Sequence, residues 1–290
     1  MFERGQLWNL IVSSTDKALE SGALVSIPTE YEFVEDRGVA FVVRIVTNLE
    51  RKEKLKEVES GKTSKAFNPF LPYEKELFVA HVSDSHLCLL NKYNVVDHHL
   101  LIVTRGFEDQ DSSLTLSDFE ALWICISEYD SLGFYNGGKI AGASQAHKHL
   151  QLVPLPLAHR GPGIPISPLL EQDIPAREIR KCERIPFPHR FARFQDRIWE
   201  SPSSAAKVTL DLYEEMREKL GLSRRTPRPF NLLVTREWIL LVPRTREFFQ
   251  SISINSLGFV GGFLVRDQEQ MKRIKNAGPM EALIHTSSER

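Results

Sequence analysis

The sequence has little cysteine: Cys88, Cys125 and Cys182 are the only three among 290 residues, and none form a Cys-x-x-Cys pair. An odd count at irregular spacing argues against a disulfide framework and against a cysteine-based zinc site. A dominant charge is missing too. Lys+Arg total 37 against 38 Asp+Glu, a formal net charge of -1, so the bulk balance offers nothing of the strongly basic face that duplex nucleic acid asks for. No apolar run approaches the roughly 18 residues needed to span a bilayer. The first ten residues carry Glu3 and Arg4 where a secretory segment would be apolar. These absences lead to the expectation of a cytoplasmic protein with a small-molecule partner, and they leave room for a local basic pocket. What is present is 42% hydrophobic and 26% charged residues, a balance that can fill a core in one large domain or two modest ones.

Leu7, Leu10, Ile11, Ala18 and Leu19 predict an amphipathic helix within the first twenty residues, closed near Gly22. Asp36-Arg37-Gly38 reads as a turn before the β-branched run Val39 to Val46. Three more strands are expected over Leu77 to Val82, His86 to Leu90 and Leu100 to Val103, with polar Asn91-Lys92-Tyr93-Asn94 between the last two. Ser117 to Glu120 has capping-box spacing and opens a helix expected to reach Tyr129. Pro154 to Pro188 reads as an irregular crossing segment, followed by a helix from Lys207 to Leu220 and strands over Phe230 to Thr235 and Trp238 to Val242. Strands outnumber helices and the links are short, which predicts an antiparallel α+β fold.

The chemistry concentrates between Tyr135 and Pro154. On a strand from His147 to Val153, His147, His149, Gln151 and Val153 share one face, with neighbours about 6–7 Å apart. Just upstream, Gly137, Gly138, Ala141, Gly142, Ala143 and Ser144 are all small, so backbone N–H groups can approach phosphate oxygens closely. An imidazole row beside a phosphate cradle is a nucleophile's setting. A neutral histidine nitrogen can attack an α-phosphorus, expel the remaining polyphosphate and hold the nucleotidyl group until a phosphate-type acceptor displaces it. His-x-His on a strand is also a zinc arrangement, and the pattern alone leaves that open. Lys148 alternates off this face and is expected at solvent or another loop. His98 is expected to be exposed, and His99 to be a structural hydrogen-bonding residue. Arg244 and Arg246 follow a strand end, where distal phosphates or a solvated turn are equally good readings.

In the segments Asn68 to Tyr73, Leu89 to Tyr93, His99 to Thr104, Asn136 to Pro154, Asn231 to Thr235, Leu241 to Arg244 and Ile254 to Gly261, the sequence resembles the ATP adenylyltransferases, also called diadenosine tetraphosphate phosphorylases. These belong to the histidine-triad superfamily, in the branch shared with galactose-1-phosphate uridylyltransferase. The resemblance implies an α+β, histidine-triad-like antiparallel sheet with flanking helices and a C-terminal extension. It divides the chain into a catalytic domain over 1–190 and a second domain over 191–290 that completes the cleft. It implies the reversible conversion of diadenosine tetraphosphate (Ap4A) and phosphate into ATP and ADP.

In that reading His149 is the nucleophile, His147 orients or charge-stabilises the α-phosphate, and Gln151 hydrogen-bonds it. Gln151 stands where the hydrolase branch has a third histidine, which favours phosphorolysis over hydrolysis. Nucleotide contacts are implied for Asn136, Gly142, Ala143, Ser144 and Gln145, with Asn91 and Lys92 at the ribose and phosphates. Lys52 is the counterpart of a family lysine, with Arg51 and Lys54 competing for the place. Asn231 would serve the second nucleotide. The implied partners are a dinucleoside polyphosphate, ATP, ADP and phosphate, with a divalent cation such as Mg accompanying the polyphosphate. No organic cofactor, nucleic acid or membrane is expected, and the sequence leaves oligomeric state open. The rival readings are uridylyl transfer to a sugar phosphate by the same covalent route, and zinc-dependent hydrolysis of dinucleoside polyphosphates.

Overall fold

The computed structural model describes residues 2–46, 68–158, 161–170, 173–222 and 228–289. In chain order the elements are α1 (Leu7–Glu20), β1 (Thr29–Asp36), β2 (Val39–Val46), β3 (Phe78–His81), β4 (His86–Leu90), β5 (Leu100–Thr104), α2 (Leu116–Ile126), β6 (Ser131–Gly137), β7 (His149–Pro154), β8 (Arg190–Arg193), α3 (Pro202–Lys219), β9 (Phe230–Val234), β10 (Trp238–Pro243), β11 (Phe248–Phe249), β12 (Ile252–Ser253), β13 (Gly262–Val265), α4 (Gln268–Ala277) and α5 (Pro279–Ser287).

Eight strands form one sheet in the order β3-β4-β5-β7-β6-β9-β10-β8. Every neighbouring pair in it is antiparallel, as short links demand. A smaller sheet has the order β1-β2-β13, with β13 parallel to β2. This is the expected α+β class. The boundary expected at residue 190 falls on the first residue of β8, and the large sheet runs through it, since β6 pairs with β9.

Period-two alternation sorts the strand residues into two layers. Leu100, Ile102, Leu150 and Leu152 face the helical side, where they join Phe119 and Trp123. Phe134, Val153, Leu233 and Leu240 face the other way and meet Phe41 and Phe263 of the small sheet. On that same side, toward the β4 edge, Leu89, Leu101 and Val103 pack with Phe70. Between these last two clusters β7 presents His149 and Gln151, opposite Val103 and Leu101.

Several boundaries differ from the sequence reading, each for a local reason. In α1, Leu7, Ile11, Thr15 and Ala18 make the buried stripe. Its N-terminal N–H groups, at Gly5 and Leu7, donate to the Glu128 carboxylate, an anion at the positive end of the helix. The capping box of α2 is Thr115 with Asp118, upstream of the expected Ser117, because the buried Asp118 carboxylate also accepts from the Thr115 N–H. Helix α3 starts at Pro202, a residue suited to the first helical position. Strand β7 begins at His149, later than the expected His147. There Lys148 N donates to Glu108 O and Gln110 N to Ala146 O, so a loop pairs with the chain just before the strand. No helix among the described residues is long and apolar enough to cross a membrane.

Candidate active site

A cleft of about 650 Å³ opens over β7 and is roofed by Val42, Arg44 and Phe263 of the small sheet, a size that suits a small ligand. His149 and Gln151 lie on its wall, with Asn91 and Lys92 at one part of the rim and Gly142, Ser144 and Gln145 at another. Ser253, Asn255 and Leu257 from the C-terminal part complete the lining.

The proton positions at the histidines follow from their partners. His149 Nδ1 is 2.8 Å from the His147 carbonyl; a carbonyl can only accept, so Nδ1 carries the hydrogen and Nε2 holds the lone pair. Burial lowers the His149 pKa to about 4, a hydrogen bond to the His147 backbone opposes this, and the charge of His147 adds to the lowering. The ring is therefore neutral at physiological pH. Phe70 packs on it with ring centroids 5.4 Å apart.

His147 stands differently from the role expected of it. Asn68 Nδ2 donates to its Nδ1 at 3.0 Å, and its Nε2–H donates to Thr104 O at 2.9 Å. Both ring nitrogens are thus committed to the protein, and the residue is 2% exposed. His147 reaches the site through its backbone carbonyl on His149, and its imidazole is not placed to touch a phosphate. The same commitments leave the His-x-His pair too few lone pairs for the chelate that the zinc reading needs. Among the described residues, no group of three or more His, Cys, Asp or Glu side chains is placed to share an ion.

Gln110 supplies a clamp that the sequence reading did not find. The ladder between β6 and β7 runs from Ser131↔Pro154 to Phe134↔Gln151 and stops there. The Gln110 amide fills the next place. Its Nε2 donates to Asn136 O at 2.9 Å and to His149 O at 3.3 Å, while its Oε1 accepts from His149 N at 2.8 Å. Tyr135 OH in turn donates to Gln110 O at 2.5 Å. The backbone of His149 is thereby held where the two strands part.

The small-residue loop owes its shape to two glycines with positive φ, Gly138 at 93° and Gly142 at 91°. A Cβ on Gly142 would sit 2.8 Å from Asn255 Cβ and 3.0 Å from Ile254 O, so a side chain there has neither the backbone nor the room. Among the described residues, the N–H groups of Ser144 and Gln145 have no hydrogen-bond acceptor, which leaves them available to an anion. Ala143 N donates to Gly138 O, and Ala143 itself does not line the cleft.

Asn231 and Arg244 are displaced from the expected contact with ligand. Asn231, 0% exposed, donates to Asn136 Oδ1, Ala141 O and Ser256 Oγ. Arg244 donates to Asn231 Oδ1, Ala141 O, Ile254 O, Thr286 O and Arg246 O. Burial lowers its pKa to about 9 while Glu247 opposes the shift, so it stays cationic at neutral pH. The two residues form the wall behind the loop. Asn136 lines the cleft, but its Oδ1 is occupied by Asn231 and Ser256. Lys92 is paired with Glu74 at 2.7 Å. Lys52 lies outside the described residues.

Of the two surroundings expected for Lys148, solvent fails and the loop holds, since Nζ donates to Glu108 and Ser113. Its side chain is buried, with Nζ 2.8 Å from Asp118 Oδ2 and 3.0 Å from Glu108 Oε2, because the face opposite His149 is covered by α2 and not by water. Burial alone would raise the Asp118 pKa; hydrogen bonds from His86 and Lys148 and the Lys148 charge outweigh it and leave the carboxyl at about 2. His98 is half-buried against Trp8 and Thr15. Of the cleft residues not singled out from sequence, Arg44 had a signal: a lone cation in the run Val39 to Val46. Behind the lining, Asn68 and Thr104 fall at the ends of segments that carry the family resemblance, while Gln110 lies outside all of them and its partners are far along the chain.

A neutral buried imidazole in a cleft between sheets, beside a glycine loop with free N–H groups, suits a nucleotidyltransferase, and the comparisons with known proteins give that class. Residues 1–172 match the Ap4A phosphorylase N-terminal domain family, and residues 183–289 match the ATP adenylyltransferase C-terminal domain family. The chain belongs to the Ap4A phosphorylase family. It is 29% identical to diadenosine 5',5'''-P1,P4-tetraphosphate phosphorylase 2 of Saccharomyces cerevisiae, over 75% of this chain and 74% of the relative. It is 24% identical to the Saccharomyces cerevisiae protein APA1, over 92% and 88%. The fold matches the crystal structure of yeast Ap4A phosphorylase Apa2 with a TM-score of 0.81 at 24% identity, covering 99% of this chain and 98% of that one.

Proposed function

We propose that this chain transfers the adenylyl group of Ap4A to phosphate, giving ATP and ADP reversibly, through a covalent intermediate on His149. The observation that carries the reading is the His149 tautomer: Nδ1–H is held by the His147 carbonyl at 2.8 Å, which leaves the Nε2 lone pair for chemistry. The family to which the chain belongs, and the yeast relative named as an Ap4A phosphorylase, supply the substrate.

In the first step Nε2 forms a bond to the α-phosphorus as the bond to the bridging oxygen breaks and ATP leaves. The imidazolium so formed keeps its Nδ1–H on the His147 carbonyl, which spreads the new positive charge. Phosphate then attacks the same phosphorus, the N–P bond breaks, ADP departs and His149 returns to its neutral form. Gln151 donates to a non-bridging oxygen throughout, and the Ser144 and Gln145 N–H groups hold the adjoining phosphates. A divalent cation such as Mg would accompany the polyphosphate.

The test is intact mass after mixing the chain with Ap4A in the absence of phosphate. An acid-labile gain of one adenylyl group, absent in His149→Ala and released as ADP when phosphate is added, is the expected result. Product formation with no adduct would refute the covalent route and leave direct attack by the acceptor.

A further inference from the structure

His99 takes no part in the steps above, yet it lines the cleft beside Gln151, and both residues are only 8% exposed. It belongs to a hydrogen-bond chain whose polarity is fixed at its far end. The Tyr93 backbone N–H donates to Asn91 Oδ1 at 3.4 Å; an N–H can only donate, so this end of the amide is its oxygen. Asn91 Nδ2 then faces His99 Nδ1 at 3.2 Å, and the ring nitrogen has to accept. A neutral imidazole that accepts at Nδ1 carries its hydrogen on Nε2. That hydrogen is donated to Gln151 Oε1 at 3.0 Å. With its oxygen held by His99, Gln151 presents its NH2 to the cleft that all three residues line.

The orientation matters because an amide has two nearly isosteric ends of opposite sign. A donor aimed at the non-bridging oxygens steadies the charge that grows there; a carbonyl in its place would oppose it. We propose that His99 is a positioning residue that fixes the Gln151 amide with its NH2 toward the transferring phosphoryl group, and that the Asn91–Tyr93 turn sets the His99 tautomer. The proposal rests on the adenylyl-transfer reading. The same device occurs once more in the site: Phe70 N–H donates to Asn68 Oδ1, and Asn68 Nδ2 donates to His147 Nδ1. In each case an Asn whose side chain accepts from the backbone two residues on tells a histidine which nitrogen to protonate.

A filler role is the alternative, since the His99 ring also packs against Phe134 at 5.8 Å. A double-mutant cycle separates the two. If His99 acts through Gln151, His99→Phe slows adenylylation about ten-fold with little change in KM, and causes no further slowing in a Gln151→Ala background. His99→Gln, whose amide nitrogen can donate from the same place, recovers most of the rate. Multiplicative effects of the two substitutions, or a wild-type rate in His99→Phe, would overturn the proposal. If His99→Phe does not fold, Asn91→Leu breaks the relay one link upstream and completes the same cycle. The ring nitrogen spectrum of uniformly 15N-labelled chain gives a readout independent of turnover. His99 is expected as the Nε2–H tautomer, mixed in Asn91→Leu; an Nδ1–H tautomer in the wild type would overturn the relay even if no adduct forms on His149.

Discussion

Replacing Gln110 with alanine tests whether a side chain standing in for a strand pair holds the nucleophile in place. The substitution removes both donors and the acceptor that the Gln110 amide gives to Asn136 O, His149 O and His149 N. Asn136 O keeps the Gly138 N–H, so the main loss falls on the buried His149 backbone. An unsatisfied buried N–H costs about 1–3 kcal/mol, and the lost side-chain volume adds a smaller cavity penalty. A total of roughly 2–4 kcal/mol lowers the melting temperature by about 3–7 °C for a chain of this size. The kinetic effect is separate, because a displacement of the attacking atom by about 1 Å can cost 10²-fold. The assay is the single-turnover rate of adenylyl-His149 formation, read by mass on protein kept well below its melting temperature. Gln110→Glu is a sharper companion: its carboxylate can still accept from His149 N but faces the His149 and Asn136 carbonyls without a hydrogen to give. A Gln110→Ala chain that melts early yet forms the adduct at the wild-type rate would refute the positional argument.

Four further outcomes follow from the same geometry. Gly142→Ala forces a Cβ against Asn255 and Ile254 at a φ of 91°, so KM for Ap4A should rise by about ten-fold or more; an unchanged KM would remove the loop from the phosphate site. Lys148→Met takes the lysine cation from the buried Asp118 carboxylate, leaving it the hydrogen bonds from His86 and Thr115, and should cost about 3–5 kcal/mol, read as a drop of about 5–8 °C in melting temperature; a shift under about 2 °C would show that the pair contributes little. The His149 pKa of about 4 lies below its ordinary 6.5, so the unfolded chain binds this proton first. Stability from this group is therefore complete above 6.5 and lost as pH falls toward 4, by roughly 3 kcal/mol. Denaturant melts at pH 7 and pH 5 should differ more in the wild type than in His149→Ala, and equal slopes would contradict a neutral buried ring. Adenylylation should stay flat from neutral pH down to about 5 and fail near 4, where Nε2 is protonated.

Much of the fold was legible because alternation and helical spacing are local. His149 and Gln151 share a face of β7, and the runs at 39–46, 86–90 and 100–104 form strands, as their patterns predict. Lys148 was legible only as facing solvent or a loop, for the complementary reason. Alternation puts it opposite His149, but nothing nearby states whether that face meets water or a helix, and the answer comes from Asp118 on α2. Arg244 after a strand end reads equally well as a phosphate ligand or a solvated turn. Only the acceptors that converge on it from Asn231, Ala141, Ile254 and Thr286 make it part of the wall.

The part of the site that sequence periodicity cannot carry is the sign of each hydrogen bond. His147, His149 and Gln151 occupy alternate positions, yet their three side chains have three different duties set by partners from elsewhere in the chain. The His147 ring is filled by Asn68 and Thr104, the His149 Nδ1 is taken by a carbonyl, and the Gln151 oxygen is taken by His99. Asn68 lies 79 residues from His147, and His99 lies 52 from Gln151. A donor and an acceptor differ by one proton, so the spacing His-x-His-x-Gln is compatible with a nucleophile, a metal chelate or an inert polar row. The distant partners decide among these by fixing which nitrogen holds hydrogen. It follows that substitutions at Asn68 or Asn91, neither of which carries a reacting atom, should change the chemistry of this site more than substitutions of equal size at apolar residues on the cleft wall.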